Sequence, residues 1–67
     1  MVDVDTLKAE VKKLSAKAMQ AKMDLHDLSE DLPVGVEKVP VVAQRVVETY
    51  AALAEARAAI KALEEKA

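Results

Sequence analysis

Cysteine is absent from the 67-residue chain, and so are phenylalanine and tryptophan; there is a single glycine and there are two prolines. Without a thiol, this chain cannot perform cysteine catalysis, hold an iron-sulfur cluster through sulfur, or staple itself with a disulfide. With Tyr50 as the lone aromatic, it lacks the stacking platforms on which single-stranded nucleic acid is held. A lone glycine excludes a glycine-rich phosphate cradle. Charge of one sign is also missing in quantity: ten Lys and Arg stand against twelve Asp and Glu, for a net charge of -2. Phosphate backbones and anionic membranes draw their binders by clustered positive charge, so neither is expected as a partner. No uncharged apolar run approaches the roughly 18 residues of a membrane span, and Met1 to Asp5 is acidic, unlike the basic start of a secretory signal. A cytoplasmic location is therefore expected.

What is present is apolar and helical. Hydrophobic residues make up 52% of the chain, with alanine the largest contributor, so few side chains have large area to bury and stability per residue is modest. Val4, Leu7, Val11, Leu14, Ala18, Ala21, Leu25, Leu28 and Leu32 recur at alternating steps of three and four without a miss. That is the spacing of a coiled-coil seam. The two alanines at its middle let backbones approach closely, which suits a partner helix rather than a substrate. The spacing predicts a first helix over about 4–32, opened by Asp3 or Asp5 as the capping residue and stopped by Pro33 and Gly35. Residues 33–39 form a connector between antiparallel helices. Pro40 suits the first turn of a second helix over about 40–65, whose own seam is Val42, Val46, Thr49, Leu53, Ala56, Ile60 and Leu63, with Thr49 the one polar member. The many alanines behind that seam favour helix strongly.

The expected architecture is thus all-α: one domain spanning 1–67, folded as an antiparallel two-helix hairpin. Pairing Leu28 with Val46, Leu25 with Thr49, Ala21 with Leu53 and Leu14 with Ile60 zips the seams along their whole length, and a register shifted by half a heptad pairs nearly as well. A hairpin of this size leaves much of each helix uncovered, so assembly into a helical bundle as a homo-oligomer is expected.

Outside the seam, Met19, Met23 and His26 form a second stripe on helix one, with Val47, Tyr50 and Ala54 as matching candidates on helix two. Methionine suits adaptable protein interfaces, so the stripe reads as a contact surface for a partner or for another copy. Asp24, Asp27, Glu30 and Asp31 crowd the carboxyl end of helix one, where the helix dipole disfavours negative charge. They either dock a basic partner or complement Lys38 and Arg45 at the start of helix two, as Lys8 and Lys12 would complement Glu64 and Glu65 at the other end. The candidate partner-binding set is Met19, Met23, His26, Asp27, Glu30 and Asp31. His26 with Glu30 one turn on and Asp27 beside it supplies metal-type ligands, but too few for a site from one chain, and Met23 stands where the Glu-x-x-His signature of di-iron bundles needs glutamate. No cofactor is expected. With one histidine, and Ser15 and Ser29 on a helix without a fixed base, no enzymatic activity is expected either.

The stretch Leu14 to Pro33, and most distinctively Lys22 to Pro33 (Lys-Met-Asp-Leu-His-Asp-Leu-Ser-Glu-Asp-Leu-Pro), resembles the Rop-like family of small two-helix proteins encoded in nitrogen-fixation operons. A second helix bearing Tyr50 amid alanine and charge extends the resemblance over nearly the whole chain. The resemblance implies a cytoplasmic helical hairpin working alongside nitrogenase or its cofactor-assembly machinery, and the methionine stripe with its acidic neighbours adds the expectation that it acts there by protein-protein interaction. The alternative it leaves open is a metal carrier for cofactor assembly, using His26 and nearby carboxylates in an oligomer. RNA binding by the family's namesake bundle is likeness of architecture and does not transfer.

Overall fold

A computed structural model describes residues 3–66. Among these the chain forms two long helices and no strand: α1 over Val4–Asp31, a 3-10 turn over Val36–Lys38, and α2 over Val39–Lys66. The helices fold back on each other into a rod of 51 × 17 × 15 Å.

Helix α1 begins where its first free amides find an acceptor. Asp3 is the capping residue: its backbone is extended, and its Oδ1 accepts a hydrogen bond from the Thr6 amide at 2.7 Å. Asp5 instead lies inside the first turn, where its charge suits the positive end of the dipole. At the other end Leu32 takes an extended conformation ahead of Pro33, as the proline demands of its predecessor. The connector is tighter than an open loop. The Val34 amide donates to the Asp31 carbonyl at 3.0 Å, Val36 to Pro33 at 3.3 Å and Lys38 to Gly35 at 2.9 Å, so three successive turns carry the chain around. Gly35 makes the reversal possible with φ of +78°, in the left-handed region that side chains resist. It also comes close to α1: a Cβ there would sit 3.0 Å from Leu28 Cδ1. Pro40 falls within the first turn of α2, where its missing amide costs no hydrogen bond.

Burial follows the two seams. On α1, Val4, Leu7, Val11, Leu14, Leu25 and Leu28 are half-buried, and Ala18 and Ala21 are sealed at 1% and 0% exposure. On α2 the deepest residue is Leu53, at 4%. The interface is thus closest at its middle, where small side chains on one helix admit a large one from the other. Thr49 keeps its place in the seam by satisfying its own hydroxyl, which donates to the Arg45 and Val46 carbonyls of the preceding turn. The seams are less covered towards their ends, where Leu32 and Leu63 are exposed.

An ion pair across the interface bears on the register. Arg45 Nη1 lies 3.6 Å from Asp24 Oδ2, whereas pairing Leu25 with Thr49 would set Arg45 opposite Ser29, more than a turn away. The shifted register brings Arg45 level with Leu25, next to Asp24, and sets Leu53 opposite Ala18. It also aligns the ends of the two helices, since α1 stops and α2 starts at equal distances from Gly35. Of the two registers that the seams leave open, the Asp24–Arg45 pair and the level helix ends favour the one shifted by half a heptad.

Two outcomes follow. Gly35→Ala must hold a left-handed alanine against Leu28, and is expected to lower stability by about 1 to 2 kcal/mol, read as a fall in the thermal midpoint. The Thr6 amide holds the Asp3 carboxyl below the usual carboxylate range. A depressed carboxyl contributes above its unfolded pKa and loses that contribution as pH falls through the folded value. Acidification to about pH 3 should therefore lower the protection of the Thr6 amide, measured as its exchange rate relative to that of an unstructured peptide at the same pH, in the wild type and change that protection little in Asp3→Ala.

Candidate functional site

Helix α1 has a used side and an unused side. The seam residues turn toward α2, and residues that precede a seam position such as Leu25 flank the interface on one edge, while those that follow Ala18 flank it on the other. Asp24 and Arg45 meet on the first edge. Asp24 is half-buried there and accepts a second bond at Oδ1 from Gln20 Nε2 at 2.9 Å, so this acid is committed within the hairpin. Met19 and His26 lie toward the opposite edge, with Met23 and Glu30 next to them on the outer side of α1.

The six candidate partner-binding residues all face outward. Met19 and Met23 are 57% and 53% exposed, large values for side chains that have no polar atom to hydrate well. His26, Asp27, Glu30 and Asp31 are exposed too. The imidazole of His26 lies between two carboxylates: Nδ1 is 3.6 Å from Asp27 Oδ1, and Nε2 is 3.4 Å from Glu30 Oε1 one turn on. Below these, the Ser29 hydroxyl donates to the His26 carbonyl at 2.7 Å. The structure therefore brings His26, Asp27 and Glu30 together and sets Met19 and Met23 one and two turns before them on the same helix. Asp31 lies on the Asp24 edge of α1 and contacts none of the others.

Charge complementarity within the hairpin is only partial. Arg45 takes Asp24, but among the described residues Lys38 makes no ion pair with the acidic end of α1, nor do Lys8 and Lys12 with Glu64 or Glu65. The acids at Asp27, Glu30 and Asp31 are thus uncompensated by α2 and open to a cation from outside. Among the described residues no group of three or more possible ligands is arranged to hold a metal ion, so a metal bound through His26 would need ligands from another chain. Among the described residues there is no pocket, and no helix is long and apolar enough to cross a membrane.

Two exposed apolar groups extend the surface beyond the methionines. On α2, Val47 and Tyr50 are exposed, on the same edge as Met19 by their position after the seam. At the connector end Leu32, Val34, Val36 and Val41 are also exposed. Periodicity does not mark the second cluster, because a connector has no helical repeat; its one signal in the sequence is the recurrence of valine at 34, 36, 39 and 41.

Over residues 2–65 the sequence matches the family described as Rop-like. A "UPF0437 protein" of Azorhizobium caulinodans is 55% identical over 64 residues, covering 96% of this chain and 93% of that protein. One from Trichormus variabilis is 43% identical over 61 residues, covering 91% of this chain and 71% of its own length. A relative in Frankia alni, 43% identical over 53 residues and covering 79% of this chain and 65% of that protein, is described as a "UPF0437 protein in nifX-nifW intergenic region". No solved structure matches.

Because the helices are held by apolar burial and the Asp24–Arg45 pair is partly exposed, Asp24→Asn is expected to change hairpin stability by less than about 1 kcal/mol in denaturant titration.

Proposed function

The chain belongs to the Rop-like family, and from that membership we propose that it is a non-catalytic accessory protein of nitrogen fixation that acts in the cytoplasm through contacts with itself and with nitrogenase or its cofactor-assembly proteins. The genomic setting named for the Frankia alni relative, between nifX and nifW, supports the process. The mode of action rests on one observation: the seam is satisfied inside the hairpin, yet Met19 and Met23 stand in water beside a histidine and carboxylates that α2 does not neutralise.

The chemistry of such a surface is that of docking. Exposed methionines gain by being covered, and their unbranched, polarizable side chains adapt to the shape that covers them. The adjoining Asp27, Glu30 and Asp31 then supply direction, attracting a basic rim and repelling an acidic one. Binding to a protein surface needs no enclosed pocket.

The test is capture from the extract of a nitrogen-fixing culture. Tagged wild type should retain nitrogenase or maturation proteins, and Met19→Lys/Met23→Lys, with helicity unchanged by circular dichroism, should lose about tenfold or more of that retention. Equal retention by the folded variant would remove these methionines from the docking surface. Absence of every nitrogen-fixation protein from the wild-type capture would sink the proposed role.

A further inference from the structure

The turn end of the rod carries more apolar surface than the hairpin uses. Val39 and Val42 are half-buried there, whereas Val34, Val36, Val41 and Leu32 are exposed. Val34, at 73%, is more open than either methionine. Turns in water ordinarily draw on Gly, Pro, Asn, Asp and Ser, and a valine left in solvent contributes nothing that the reversal requires. The frame beneath these valines is held in place, because the amides of Val34, Val36 and Lys38 close three successive turns. Valine itself has little rotamer freedom to lose. Apolar groups presented on a fixed frame are covered at low entropic cost.

The charge around the valines sets the sign of what covers them. From Asp24 to Glu37 the chain carries five carboxylates and no lysine or arginine. Arg45 takes Asp24, which leaves Asp27, Glu30, Asp31 and Glu37, all exposed, against Lys38. Because α1 ends and α2 begins at this tip, the two helix dipoles oppose each other and the side chains decide the potential. The rod is only 17 × 15 Å across, so these acids and the exposed valines share one small end. The far end differs in both respects. There α1 bears Lys8, Lys12, Lys13 and Lys17, and Leu63 is the single large apolar residue exposed near it among those described. Apolar surface and negative charge therefore coincide at the turn end alone. That sign repels nucleic acid and anionic lipid, whose phosphates are negative too, and it attracts a cationic protein surface.

We propose that the turn end is a docking site for a basic amphipathic helix of another protein, whose aliphatic side covers Leu32, Val34, Val36 and Val41 and whose lysines or arginines meet Asp27, Glu30, Asp31 and Glu37. Such a helix offers apolar anchors at steps of three and four with cations beside them, which matches an apolar tip rimmed by acids. The site is separate from the methionine stripe: it shares the acids with that surface but needs neither Met19 nor Met23, and so it adds a second contact to the rod.

The probe is a synthetic helix-forming peptide of leucine and lysine, about 14 residues long with its leucines at steps of three and four, titrated into the isotope-labelled full chain and followed by amide chemical shifts. Shifts should concentrate at Leu32, Val34, Val36 and Val41, and the same peptide with glutamate in place of lysine should move none of them. Val34→Ser/Val36→Ser should weaken binding by about fivefold and Asp31→Lys/Glu37→Lys by about tenfold, with circular dichroism confirming that both variants stay helical. The leucine-glutamate peptide should bind the charge-reversed variant more tightly than it binds the wild type. Shifts centred elsewhere on the rod, equal binding of the two peptides, or wild-type affinity in both variants would each overturn the proposal. So would movement of the tip amides with protein concentration alone, since the occupant would then be another copy of the chain. The titration uses purified protein, so its failure leaves methionine-dependent capture of nitrogen-fixation proteins standing, and loss of that capture with the tip shifts intact would overturn only the proposed role.

Discussion

Close approach of two helices at Ala18 and Ala21 is the contact on which the molecule depends. These residues and Leu53 are the only buried ones among those described, and the rest of both seams is half-covered except for the exposed Leu32 and Leu63. Small side chains at the centre let the backbones draw together, so that Leu53 gains contacts on several sides and the flanking leucines and valines reach across. Larger residues in place of the alanines would hold the helices apart and thin every layer on either side. The stability of a two-helix rod is small to begin with, since its surface is large for its volume, and this centre concentrates what there is.

The same thinness makes the rod an interaction surface. A hairpin has one buried stripe per helix, and every other apolar residue must face water or a neighbour. Met19, Val47 and Tyr50 toward one edge, Met23 on the outer side of α1, and the valines at the connector are therefore exposed by geometry as much as by composition. Polar edges are handled differently: Asp24 is engaged by both Gln20 and Arg45, and Thr49 turns its hydroxyl onto its own backbone. Where polar groups are paired the edge is closed, and where methionine lies beside unneutralised acids it is open.

Much of the fold was legible because the helical repeat is strict. The α1 seam has no interruption from Val4 to Leu32, and the structure half-buries or buries every member but the last. The antiparallel hairpin follows from that seam and from the Pro33 and Gly35 break, and the resemblance to the Rop-like family rests on the segment Lys22 to Pro33. The register was less legible, because alternating three and four spacings match themselves again after half a heptad, and nothing in the two seams alone penalises the shift. The outward positions of Met19, Met23 and His26 were legible as spacing, whereas the exposed valines of the connector were not, since turns carry no period from which a face can be read.

By itself, then, the sequence determined which residues are helical, where the chain reverses, and which stripe of each helix seeks a partner, because periodicity, proline and glycine act locally and leave the same mark in any context. Only the tertiary structure decided how the stripes align, which acid Arg45 takes, and which carboxylates remain uncompensated beside His26. Those outcomes depend on how tightly the connector closes, and closure sets distances between residues far apart in the chain, which no local pattern encodes.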